Sequence, residues 1–240
     1  VRLGSLTDLL PDYVEGWVKG EYANPGGSIR ERPARQIGLD AREDGRHGEG
    51  QTLIDSTSGN TGIAYAMIGA AVGIDVELVM PENVSTARKH IVRTYGAEIV
   101  FSDPMEGSDG AIRKVREIVE ADEDGEYFYA DQYGNPSNPR AHRQTTAPEI
   151  WDQTDGRVTH FVAATGTSGT IMGTARGLRE RDASIQIVGV QPDDAFHGLE
   201  GLKHMPTAIE PDIYDESSLD DVRYVSTEAS WDMAERLARE

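Results

Sequence analysis

No cysteine occurs in the 240 residues, which excludes disulfides and thiolate metal sites and suits a reducing, cytoplasmic setting. Aromatic residues are few, at 7%, and neither a repeat period nor a low-complexity tract is present, so solenoids and disordered tails are set aside. Long apolar runs are missing too. The most apolar stretch, residues 62–74, falls short of the roughly 20 residues that a membrane-spanning helix needs, and no secretory leader is expected. The six histidines form no His-Glu-x-x-His pair, and there is no Gly-x-Ser-x-Gly elbow, so zinc and serine hydrolysis are excluded and no metal is expected. What remains is a soluble globular chain, 38% hydrophobic, with core enough for one large domain or two modest ones.

Positive charge is scarce. Lys+Arg total 23 against 42 Asp+Glu, a net charge of −19, and Lys19, Lys89, Lys114 and Lys203 are the only lysines. The acids are dispersed, as at Asp122-Glu123-Asp124 and Asp220-Asp221, and read as a solvated surface. Such a surface repels nucleic acid and anionic membranes. The same composition is the habit of proteins from salt-adapted organisms, and that origin is expected here.

Strand-like and helix-like segments alternate. Strands are expected at 52–55, 75–80, 97–101, 127–129, 160–163 and 186–190. Helices are expected at 60–72, 84–95, 108–121, 138–153, 169–181 and 228–239, with Ser108 and Thr227 supplying start signals. Alternation of this kind predicts an α/β fold with parallel sheets covered by helices. Two sheet systems are expected, on either side of a connection at Gly134-Asn135-Pro136-Ser137-Asn138-Pro139. His142 is expected to pack within its helix, and Trp17, Trp151 and Trp231 to be core. Val1-Arg2-Leu3-Gly4 reads as a strand under way and Glu240 as a point inside a helix, so both ends look truncated.

Two segments share one design, a short apolar strand followed by a turn of small and hydroxyl residues and then a helix. The first runs Ser56-Thr57-Ser58-Gly59-Asn60-Thr61-Gly62, the second Thr165-Gly166-Thr167-Ser168-Gly169-Thr170. Turns of this kind aim unpaired N–H groups and hydroxyls at one point beside the positive end of a helix, and so bind anions. Neither is a Walker loop or a dinucleotide fingerprint. Two such cradles suit a ligand pair with two anionic groups, such as a phosphate and a carboxylate.

The segment Asn24-Pro25-Gly26-Gly27-Ser28-Ile29-Arg30-Glu31-Arg32-Pro33 resembles the motif Asn-Pro-x-x-Ser-x-Lys-Asp-Arg of the cysteine synthase and cystathionine β-synthase family. Thr57-Ser58-Gly59-Asn60-Thr61-Gly62 is similar to that family's substrate loop, and Gly166-Thr167-Ser168-Gly169-Thr170 to its phosphate loop. Met80-Pro81-Glu82-Asn83, Tyr95-Gly96-Ala97-Glu98, Gln132-Tyr133-Gly134-Asn135-Pro136 and Thr145-Thr146-Ala147-Pro148-Glu149-Ile150 match in the same order. The resemblance implies a two-domain, fold type II enzyme of the pyridoxal 5′-phosphate (PLP) β-family. A smaller mobile domain is implied over 35–135, and a larger one from 1–34 plus 136–240, with PLP between them. Gly166, Thr167, Ser168, Gly169 and Thr170 are then expected to hold the cofactor's phosphate, and Asn60 its 3-hydroxyl. Thr57, Ser58, Thr61 and Gln132 are expected to hold the substrate carboxylate. Gly201-Leu202-Lys203 is expected to border the substrate side chain, with Lys203 suited to a phosphate leaving group. The implied reaction makes L-cysteine by β-replacement on O-acetylserine or O-phosphoserine, with sulfide or a thiocarboxylated carrier protein as sulfur donor. A cytoplasmic homodimer is implied.

One position departs from the pattern. The family's lysine forms an imine with PLP and then moves a proton, and Arg30 stands in its place. A guanidinium stays protonated at any ordinary pH and is a poor nucleophile, so PLP is expected to bind without a covalent link. The other lysines are not obvious substitutes: Lys19 is expected on a preceding strand, Lys89 and Lys114 on helices and Lys203 on a distant loop. Three readings stand: a cysteine synthase altered at Arg30, a silent relative that binds PLP or amino acids without imine chemistry, and a cystathionine β-synthase or β-eliminating lyase of the same fold.

Overall fold

Parallel pairing of short strands divides the chain into two sheets. The computed structural model describes residues 10–11 and 13–239, so the expected strand at Val1–Gly4 and the end at Glu240 lie outside the described residues. The first sheet contains β1 (Thr52–Ser56), β2 (Val76–Pro81), β3 (Glu98–Ser102) and β4 (Tyr127–Tyr129), in the order β3-β2-β1-β4 and all parallel. The second contains β5 (His160–Ala164), β6 (Gln186–Pro192) and β7 (Asp221–Val225), also parallel. The two expected sheet systems are thus present, divided at the expected connection. Only part of that connection is irregular, because α5 (Ser137–Ala141) begins within it.

Helices cover the first sheet on both sides. α1 (Glu31–Glu43) and α2 (Asn60–Val72) supply Ala34, Ile37, Ala64 and Tyr65 to one core with Leu53, Leu78 and Met80. α4 (Gly107–Glu120) packs Ala111 and Val115 against Ile54 and Val79 on the opposite face. With both faces covered, β1 reads as a continuous run of buried residues instead of an alternating one. α3 (Thr86–Thr94) starts two residues later than its pattern suggested, capped by Ser85. The second core joins Ile171, Met172 and Leu178 of α7 (Gly169–Arg179) to Ile185 and Ile187, with Ala147 and Ile150 of α6 (Ala147–Gln153). Among the described residues no helix is long and apolar enough to cross a membrane.

Several local expectations are corrected. α1 carried no expectation, because Pro33 and the run of arginines mask its apolar stripe. Pro33 falls in the first turn, where its missing N–H costs little. β7 was also absent, since Asp221-Val222-Arg223-Tyr224-Val225 has too few apolar residues to declare itself. The expected helix at 138–153 is interrupted by a π-helical turn, His142–Thr146. Pro148 follows it and cannot donate to the preceding turn, which widens to absorb the loss. Ser108 does not cap α4, which starts at Gly107 with no side-chain cap. At α8 (Thr227–Arg239) the cap is Ser226, whose Oγ accepts the Ala229 N–H at 3.1 Å. Trp151 packs on the second core, but Trp17 and Trp231 are exposed. Lys19 lies in irregular chain, and its Nζ donates to Glu149 Oε2 at 2.6 Å.

Candidate functional site

The C-terminal ends of β1 and β5 lead into the two hydroxyl-rich turns. In the first, Thr57 Oγ1 accepts the N–H groups of Gly59 and Gly62, both at 3.1 Å, and so caps α2 from below. Ser58 and Asn60 are left facing outward at the start of that helix. Beneath them the fully buried Asp55 braces two strands. Its Oδ1 accepts the Ser56 N–H at 2.8 Å and its Oδ2 the Gln132 N–H at 3.1 Å. Gln132 Nε2 returns a bond to Ser56 O at 2.6 Å. Burial raises the Asp55 pKa to about 7, against the two backbone N–H groups that hold it down.

In the second turn Thr165, Gly166, Thr167 and Ser168 are buried, and Ser168 adopts φ +67° at the N-cap of α7. This is left-handed backbone, which costs a non-glycine residue strain of the kind concentrated at binding sites. Two glycines are required by close approach. A Cβ on Gly166 would collide with the Gly201 carbonyl, and one on Gly169 with the Asn138 amide. The two turns are linked through side chains. Asn138 Nδ2 donates to Gln132 O at 2.7 Å and to Thr167 Oγ1 at 3.2 Å. His142 stands behind, fully buried, with Nδ1 2.9 Å from Thr146 Oγ1 and Nε2 3.3 Å from Thr170 Oγ1. Burial, then the charges of Arg30 and Arg32, press its pKa down to about 3 and keep it neutral.

Arg30 enters from the N-cap of α1. The turn before it is tied by Asn24 Nδ2 to Ser28 O at 3.0 Å and by the Gly26 N–H to Glu31 Oε1 at 2.5 Å. Arg32 anchors the same helix end, its Nη2 2.8 Å from Glu21 and 2.7 Å from Glu149 of α6. Those bonds from Arg32, helped by Lys19, hold the Glu149 pKa at about 2. Arg30 Nη1 donates to Thr167 Oγ1 at 3.0 Å, so the residue bridges from its own motif to the second turn. Burial lowers its pKa while Tyr133 opposes the shift, yet a guanidinium keeps its proton through such perturbation.

Arg30, Thr57, Ser58, Asn60, Thr61, Gln132 and Thr167 all line one cleft of about 100 Å³. The structure therefore brings together seven of the residues singled out from sequence. Gly166, Ser168, Gly169 and Thr170 lie behind Thr167 in the turn and are not part of the cleft wall. Gly201 and Leu202 also line it, as expected of their segment, but Lys203 does not. Lys203 is buried instead, its Nζ paired with Asp109 and 5.1 Å from the Tyr133 ring centre. Its charge is already answered inside the protein, and burial lowers its pKa. Three wall residues went unassigned from sequence: Arg88, Tyr133 and Glu200. Arg88 on α3 is paired with Glu200 across the mouth. Tyr133 sits within a motif that was noted, whereas nothing local marks Arg88 or Glu200.

Comparison with known proteins gives this cleft its context. Residues 3–240 match the family described as pyridoxal-phosphate dependent enzyme. Cysteine synthase of Aquifex aeolicus is 52% identical over 234 residues, which cover 98% of this chain and 71% of the relative. Cysteine synthase B of Salmonella typhimurium is 44% identical, covering 87% of this chain and 67% of the relative. The crystal structure of cysteine synthase from Entamoeba histolytica superposes with a TM-score of 0.92 at 36% identity, covering 100% of this chain and 72% of the other. The chain belongs to the family of pyridoxal-phosphate-dependent enzymes, with the fold type II architecture of its cysteine synthase members.

Proposed function

We propose that this chain is built for cysteine synthesis, as a PLP-dependent enzyme that replaces the β-substituent of an activated serine with sulfur. The observation that carries the reading is the convergence of two hydroxyl-rich turns on one cleft, at the C-terminal ends of strands in two parallel sheets. The cysteine synthase relatives extend over nearly the whole chain and supply the activity by kinship.

The residues present fit the cofactor at one end. Ser168 holds left-handed backbone, its buried hydroxyl has no hydrogen-bond partner among the described residues, and the turn opens α7, all of which suits a phosphate group. They do not fit its covalent attachment, because Arg30 offers no amine. PLP supplies an electron sink for the amino acid's Cα when bound. The protein's own groups bind and orient. Gly166–Thr170 hold the phosphate, Asn60 takes the 3-hydroxyl, and Ser58, Thr61 and Gln132 take the substrate carboxylate. Thr57 contributes chiefly by fixing that turn, since its oxygen is already engaged by two N–H groups. The substrate is O-acetylserine or O-phosphoserine, with sulfide or a thiocarboxylated carrier as donor. Residues 35–135 move as the smaller domain against 1–34 plus 136–240, and the enzyme works as a cytoplasmic homodimer.

The test is cysteine formation by the Arg30→Lys variant, supplied with PLP, each serine derivative and sulfide. The expected result is turnover with at least one of the two donors, with the unmutated chain slower by several orders of magnitude. If the lysine variant is folded, binds PLP and makes no cysteine from either donor, the reading fails.

A further inference from the structure

We infer that Arg30 has exchanged covalent attachment of the cofactor for an electrostatic hold on its phosphate, so that the cleft accepts phosphorylated pyridines whether or not they carry an aldehyde. The inference rests on the PLP reading above and concerns how the ligand is retained. The guanidinium reaches across to the second turn. Its Nη1 reaches Thr167 Oγ1 at 3.0 Å, and a Cβ on Gly166 would come within 2.9 Å of its Nη2. It therefore lies along the second turn, immediately before the N-cap of α7.

Three observations say that an anion is owed there. First, among the described residues no carboxylate pairs with Arg30, whereas Arg88, the other arginine of the cleft, is answered by Glu200. A partly buried cation without a counter-charge is costly. Second, the charge sits at the positive end of an 11-residue helix, where a cation is disfavoured and an anion favoured. Third, donors are left over. The Thr167 oxygen accepts from both Arg30 and Asn138, which leaves its proton to donate, and the buried Ser168 hydroxyl has no partner among the described residues. A phosphate monoester satisfies all three at once, and the planar fork of a guanidinium matches two of its oxygens as an ammonium does not.

The test uses the full chain freed of ligand, at fixed ionic strength, with PLP, pyridoxine 5′-phosphate (no aldehyde) and pyridoxal (no phosphate) as titrants by calorimetry. The unmutated chain is expected to bind the two phosphorylated compounds with dissociation constants within about threefold of each other, and pyridoxal at least about tenfold more weakly. Borohydride should fix no PLP to the protein. Arg30→Lys should prefer PLP over pyridoxine 5′-phosphate by about tenfold or more and yield a reducible adduct. Arg30→Met, checked by circular dichroism and melting, should lose about tenfold or more for both phosphates. A strong preference for PLP in the unmutated chain, or undiminished binding by a folded Arg30→Met, overturns the inference. If the unmutated chain binds neither phosphate while Arg30→Lys binds PLP, the inference falls and the cofactor reading stands. If neither binds PLP, both fall.

Discussion

At the residue scale the site rests on groups whose ordinary chemistry has been suppressed by burial. His142 is the clearest. Its pKa is pressed to about 3 in the folded chain, whereas an unfolded histidine titrates near 6.5. The unfolded state therefore binds a proton that the native state refuses as pH falls through 6.5 toward 3. Stability should drop over that window by up to about 1.4 kcal/mol per pH unit. Denaturant unfolding between pH 4 and 7 measures this, and His142→Gln should flatten the slope by about one proton; an unchanged slope would mean that His142 is charged in the native state. Gly169 offers a second residue-scale test. The first atoms that a side chain there would meet belong to the Asn138 amide. Since Asn138 bonds both Gln132 and Thr167, Gly169→Ala should disturb both turns together. The expected outcome is a loss of about 1–3 kcal/mol in stability and weakened retention of phosphorylated ligand. Unchanged ligand affinity would detach this glycine from the site.

At the scale of elements, Asp55 decides whether the first turn and the end of β4 keep their register. Both of its oxygens accept backbone N–H groups from two different segments. An Asp55→Asn amide must present one N–H to a donor and should cost about 1–3 kcal/mol. The sign of its pH dependence is opposite to that of His142. With its native pKa raised to about 7 and an unfolded value near 3.9, the stability it confers is complete below about pH 4 and is lost as pH rises through 7. Asp55→Asn should remove that rising-pH loss, as read by unfolding from pH 4 to 8, and should loosen Gln132. A pH profile like that of the parent would show the carboxylate to be ionised throughout. Much of this arrangement was legible beforehand. The two turns and the strands that lead into them announce themselves because a short apolar run followed by Gly, Ser and Thr has few alternatives, and α2 was located to the residue. α1 and β7 stayed hidden because arginines and a proline interrupt one and acidic neighbours dilute the other. The Lys203–Asp109 and Arg88–Glu200 pairs join residues 94 and 112 positions apart, a separation that no local pattern encodes.

At the scale of the whole molecule, the governing quantity is the net charge of −19. The positive residues are spent locally. Arg32 and Lys19 serve Glu21 and Glu149, Lys203 serves Asp109, and Arg179 serves Asp220. The surplus of acid remains on the surface, where like charges repel one another in the compact state more than in the extended chain. Salt at about 0.1 M screens such repulsion only beyond roughly 10 Å, and at about 1 M the range falls to about 3 Å. Surface ion pairs are weakened by the same salt, but exposed pairs are worth at most about 1 kcal/mol each, too little to offset the relief of repulsion across a net charge of −19. The balance favours stabilisation. The melting temperature should therefore climb steadily as potassium chloride is raised from about 0.1 to about 2 M. For a chain of this size a gain of about 1 kcal/mol corresponds to roughly 2–4 °C, so scanning calorimetry resolves the effect easily. Repetition with sucrose, which strengthens burial without screening, separates charge relief from preferential exclusion. A curve that stays flat in salt would show that the acidity contributes nothing to stability and serves solubility alone.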